Sequence, residues 1–203
     1  MGKRLFAVVV LLLGISICHA GDLPYTERIK VILLSCRHPG DPTPMDSLRS
    51  FAAANELTNA EMADLLMQLV RPGIDAKADS RQRDLAAAAF WGLAIFGGEE
   101  EYSFVSELIH STNDTSLQKT AVRVVIRMMS EKWEEWVRTV ASEKRFDSLT
   151  RFDAYEEAYR IGMNGDERTR QQVEKVLSEF MAREATSGNS TSMQRWINEL
   201  EAR

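Results

Sequence analysis

The chain has 203 residues, 44% hydrophobic and 27% charged, with 25 Lys and Arg against 30 Asp and Glu. A net charge of −5 is the wrong sign for nucleic acid or anionic lipid as the main partner, because both are held by clustered positive charge. The length suits one domain with a substantial core.

Residues 1–20 read as a signal peptide. Lys3 and Arg4 supply the positive start, Leu5 to Ile17 the apolar run, and Cys18-His19-Ala20 a small-x-small cleavage site before Gly21. The run is too short to span a bilayer, Ile17 is too bulky for a lipoprotein site at Cys18, and Phe6 stands where myristoylation needs Ser or Thr. The expected product is residues 21–203, a single α-helical domain exported to the periplasm or beyond. It carries 23 basic against 30 acidic residues once Lys3 and Arg4 are gone, and so has a net charge of −7. One cysteine stays, Cys36, which cannot form an internal disulfide and is expected to be a small buried residue rather than a reactive thiol.

Helical periodicity then runs through the chain. Ile29, Ile32, Leu33 and Cys36 share one face of a first helix, and the segment from His38 to Pro44, with three prolines and a glycine, interrupts it. Leu48, Phe51 and Ala52 mark a second helix. Thr58-Asn59-Ala60-Glu61 is a capping box that opens a third, with Met62, Leu65, Leu66 and Leu69 in line and Pro72-Gly73 as its expected end. From Ser80 to Phe96 a helix is apolar nearly all round, so it should be buried, and its four alanines permit close helix approach. Gly97-Gly98 stops it, and Glu99, Glu100 and Glu101 begin the next helix, where negative charge suits the dipole.

Leu117, Ala121, Val124, Val125 and Met128 give a further stripe, Trp133, Trp136, Val137 and Val140 another, and Leu149, Phe152, Tyr155 and Tyr159 a third. Val173, Val176, Leu177 and Phe180, then Met193, Trp196, Ile197 and Leu200, complete the pattern. No window alternates with period two. The reading is all-α, stacked antiparallel helical hairpins, about nine helices.

A period of 32 residues runs through the middle of the chain. It relates Leu85, Leu117 and Leu149, then Ala89 and Ala121, and in the second helices Phe104 and Trp136, Val105 and Val137, Leu108 and Val140. Arg83, Ala86 to Ala89, Leu93-Ala94-Ile95-Phe96-Gly97, Glu99 and Asn113-Asp114 match in turn the Arg, alanine-rich helix, Leu-Gly-x-(Ile/Phe)-Gly ending, acidic start and Asn/Asp turn of bacterial HEAT-like repeats. Over residues 80–145 the chain resembles that armadillo-type family. Asp153 and Glu157 depart from it, standing where Ala121 and Val125 align, so residues 148–203 read either as further repeats or as a helical cap. The resemblance implies an α-solenoid that binds another macromolecule without chemistry of its own.

Motifs for chemistry are sparse. Ser116-Leu117-Gln118-Lys119 fits the Ser-x-x-Lys pattern of penicillin-recognising enzymes, yet the companion motifs are missing. His38 and His110 form no metal-ligand pair, and Cys36-x-His38 supplies two ligands at most. Trp133 and Trp136 are expected in the core rather than on a sugar platform. No catalytic, cofactor-binding or metal residue is assigned. The expected function is a scaffold or adaptor binding a protein partner, with Glu107, Glu134, Glu135 and Arg138 as candidate contacts on the second helices. The alternative is a compact inhibitor or immunity-type protein whose acidic surface blocks a secreted enzyme.

Overall fold

The computed structural model describes residues 23–35 and 43–203; the leader, Cys36 and His38 lie outside the described residues. Among them every regular element is helical. The described residues form ten α-helices, in keeping with the expected number of about nine: α1 (Tyr25–Leu34), α2 (Thr43–Ala54), α3 (Asn59–Ile74), α4 (Ser80–Phe96), α5 (Glu99–Ser111), α6 (Thr115–Met128), α7 (Trp133–Ser142), α8 (Ser148–Asn164), α9 (Glu167–Met181) and α10 (Asn189–Glu201). Short 3-10 turns occupy Ser130–Lys132 and Ala182–Glu184. The chain groups into two compact units, Met1–Ala89 and Phe90–Arg203, divided within α4.

In the first unit α1 packs on α2 and α3 through Ile29 and Leu33, which meet a core of Leu48, Phe51, Met62, Leu66 and Val70. The Thr58 capping box forms as expected: the Glu61 amide donates to the Thr58 hydroxyl, and the Glu61 carboxylate accepts from the Thr58 amide. Pro72-Gly73 does not stop α3, which continues to Ile74. Gly73 is there for contact: a Cβ added to it would lie 2.3 Å from the Ala86 Cβ on α4 and 2.4 Å from the Gln82 carbonyl. Asp79 and Gln82 cap the start of α4 reciprocally, each side chain accepting the other's amide.

In the second unit the helices alternate between two layers. α6 packs on α5 and α8, α8 also on α7, α9 and α10, and α9 on α7 and α10. One layer is therefore α6, α8 and α10, and the other α5, α7 and α9. Asp114, Asp147 and Asp166 cap α6, α8 and α9 by accepting amides of the first turn. Gly162 of α8 marks a close approach of three helices, because an added Cβ would meet Leu200 of α10 at 3.0 Å and Val173 of α9 at 3.2 Å.

Burial repeats at 32 residues, but not in the leucine column. Leu85 is buried, Leu117 half-buried, and Leu149 is 58% exposed, just inside the first turn of α8. The buried columns are the neighbouring ones: Ala86, Gln118 and Thr150; Phe90, Val122 and Ala154; Leu93, Val125 and Glu157. Glu157 thus takes a core position although it is a carboxylate. In the other layer the repeat lengthens. Trp133, Trp136, Val137 and Val140 of α7 correspond to Val173, Val176, Leu177 and Phe180 of α9, each forty residues later, and all eight are buried.

Candidate interaction surface

The layer of α5, α7 and α9 carries the four residues singled out from the sequence. On α7 the buried side is Trp133, Trp136, Val137 and Val140, spaced i, i+3, i+4 and i+7, which leaves Glu134, Glu135 and Arg138 on the other side. Trp133 and Trp136 are 5% and 7% exposed, so neither indole presents a face to a sugar. The Trp136 Nε1–H donates 2.8 Å to the Tyr102 hydroxyl of α5, and the two rings meet edge to face with centroids 6.5 Å apart.

The structure separates the four candidates into two kinds. Glu134 and Arg138 are joined: the Arg138 Nε donates 2.7 Å to Glu134, and its Nη1 donates 2.7 Å to Glu179 of α9. Gln172 of α9 donates to the same Glu134 carboxylate. The Arg138 hydrogen bond, above all, holds the Glu134 carboxyl below its usual range. This pair therefore ties α7 to α9. Glu107 and Glu135 are exposed, and no described cation pairs with either. Glu99 and Glu100 in the first turn of α5, and Glu131 in the 3-10 turn before α7, are likewise exposed with no described cation, so unpaired acids gather on α5, α7 and the turn between α6 and α7.

The layer of α6, α8 and α10 treats its acids in the opposite way. Arg123 of α6 donates to Glu157 and Glu156, both at 2.9 Å, and to Asp153 at 3.4 Å. Arg127 donates to both oxygens of Glu157, at 2.6 and 3.0 Å. Both guanidiniums lie over the Trp91 ring, Arg127 at 4.7 Å and Arg123 at 5.5 Å from its centroid. The Glu157 side chain is 2% exposed. Burial pushes the Asp153 carboxyl up, more than Arg123 pulls it down.

A second buried carboxylate, Glu184, sits in the 3-10 turn after α9. Arg151 donates to it at 2.5 Å, Tyr155 at 3.2 Å, Ser187 at 2.5 Å and Asn189 at 3.0 Å. Burial opposes its charge, but Arg151, Ser187 and Tyr155 prevail and hold the carboxyl below its usual range. The four donors fasten the start of α10 onto α8. Trp196 of α10 completes the attachment, with its ring 5.3 Å from both Phe152 and Tyr159.

Neither buried cluster was singled out from the sequence. Glu157 had a signal in its misfit with Val125; Glu184 had none, because its four partners are scattered between residues 151 and 189.

Two of the remaining motif residues, Ser116 and His110, lie among the described residues. Ser116 lies exposed in the first turn of α6, its amide held by Asp114. His110 lies on the Trp136 ring and receives Arg145 at its carbonyl and ring nitrogen. Among the described residues no group of three or more His, Cys, Asp or Glu is placed to hold a metal ion, and no helix is long and apolar enough to cross a membrane. Two open grooves, of about 520 Å³ beside Arg28 and Asn55 and about 670 Å³ beside Arg195 and Asn198, are lined by polar and apolar side chains together. No family model, curated protein or solved structure matches the chain.

Proposed function

We propose that this is an exported, non-catalytic helical-repeat protein of the HEAT-like kind, and that it binds a protein partner through the outer side of α5 and α7. The observation that carries the reading is the contrast in charge pairing. Acids on α8 are held by arginines, whereas Glu107 and Glu135 are exposed, carry no cation, and sit on the second helices of successive hairpins. The repetition of buried positions at 32 residues supports the repeat architecture. A surface of this sign fits a basic partner, and it steers association more than it adds affinity.

The test is capture of the partner from the source's own envelope extract with residues 21–203, followed by binding of a Glu107→Lys/Glu135→Lys variant at two ionic strengths. The variant should associate more slowly, and the loss should be larger at low salt, where screening is weakest. Equal binding at both salts would remove this face from the function. Capture of one basic secreted enzyme, inactivated in the complex, would make the protein an inhibitor rather than a scaffold. Ser116→Ala should bind as the unaltered protein does; loss of activity there with the fold intact would point to an enzyme.

A further inference from the structure

Glu157 is a carboxylate in a column otherwise filled by Leu93 and Val125, and its occupancy of that place needs a reason beyond stability. Replacing a buried ion pair with apolar groups of similar volume often costs nothing, whereas a directional pair selects one arrangement among several. The surface that α8 brings to the repeating positions is poor in relief: Thr150, Ala154, Glu157 and Ala158 stand where α6 has Gln118, Val122, Val125 and Ile126. No large apolar side chain among the four keys into α6, and Tyr155, the large buried side chain of α8, stacks on Phe180 of α9 instead, so packing against α6 alone separates weakly the registers that differ by one helical turn.

We propose that the Arg123–Glu157–Arg127 cluster is a register lock, fixing which turn of α8 meets α6. Only the observed register puts one carboxylate between both guanidiniums, with Nε of each arginine on a different oxygen, at 2.9 and 2.6 Å. A displacement of α8 by one turn brings Ile161 to that position and moves Glu157 to the place of Asp153, which in the observed register faces Arg123 alone, so Arg127 loses its acceptor. The opposite displacement brings Asp153, one methylene shorter, which in the observed register reaches only Arg123, at 3.4 Å. Glu156 and Arg160 flank the lock and hold each other at 3.0 Å. Trp91 lies under both guanidiniums and fixes their planes.

The experiment compares two variants of residues 21–203 by melting and by amide NMR. Glu157→Gln keeps the shape but removes the charge. It should lower the melting temperature by about 10 °C and double or broaden the amide resonances of α6 and α8. The second variant is Arg123→Met/Arg127→Met/Asp153→Asn/Glu157→Leu, which removes the whole cluster with its dependent carboxylate. It should keep its helicity and melt within about 5 °C of the unaltered protein, yet still show multiple or broadened α6 and α8 resonances. That separation of stability from uniqueness is what a merely stabilising ion pair would not give. A single sharp set of resonances in the apolar variant, with native contacts between α6 and α8, would overturn the lock. So would Glu157→Gln melting and resonating as the unaltered protein does; should the apolar variant not fold, this variant alone decides.

Discussion

The two layers of the second unit are built from similar helices and use charge in opposite ways. In α6 and α8 the acids point into an interhelical joint, and Arg123, Arg127 and Arg160 hold them. In α5 and α7 the core is aromatic and aliphatic, and Glu107 and Glu135 project away from it without a cation. Acid content alone therefore does not mark a binding face. Pairing does, because a carboxylate that already accepts from arginines has little left to offer a partner, whereas a free one keeps its whole field.

The largest effects should come from the groups that give each layer its buried side. Trp136→Ala should cost about 3–5 kcal/mol in urea unfolding, by removing a buried indole between α5 and α7. A variant as stable as the original would mean that α7 is turned over, and its acids would then be the buried side. Glu184→Ala should cost a similar amount, about 3–5 kcal/mol, because Arg151, Tyr155 and Asn189 lose their acceptor. Its pH dependence has a defined sign. The folded carboxyl lies below its unfolded value, so the stabilisation is complete above about pH 5 and disappears as the pH falls through the folded value. Glu184→Gln should flatten that acid limb, which melts from pH 7 to pH 3 would show.

Smaller effects grade the helix contacts. Ala89, fully buried, should cost about 1–3 kcal/mol when replaced with Leu, and half-buried Ala88 should cost less. Equal costs would mean that both alanines meet a neighbour. Glu134→Lys should cost about 1 kcal/mol, since it removes the Arg138 hydrogen bond and places two cations together between α7 and α9.

Much of this was legible in the sequence and some was not, for physical reasons. The 3.6-residue spacing of apolar side chains located most of the described helices, because amphipathic helices in water must bury one stripe, while the Gly97-Gly98 break and the acidic start after it located α5. The leucine column misled: Leu149 looked like an anchor by identity, yet Thr150 is buried in its place and Leu149 lies 58% exposed. Periodicity reports a stripe about one residue wide, and only packing tells which edge faces inward. Pro72-Gly73 likewise read as the end of α3, and the helix ends one residue later, at Ile74; the proline forfeits one intrahelical hydrogen bond without halting the last turn at once. Of the four candidate contacts, Glu107 and Glu135 fit an accessible face, while Glu134 and Arg138 are tied to α9 by Glu179 and Gln172. Those partners lie some forty residues away and share no local pattern with α7.

The contrast between the layers rests most directly on one comparison of stabilities. Glu157→Gln and the double variant Glu107→Gln/Glu135→Gln remove charge from the two layers, and both are to be unfolded in urea beside the unaltered protein. The buried, doubly paired carboxylate should lose about 2 kcal/mol or more, and the two exposed ones should change within about 0.5 kcal/mol. Equal losses, or a larger one for Glu107 and Glu135, would show that the acids of α5 and α7 are structural and would contradict a free acidic face.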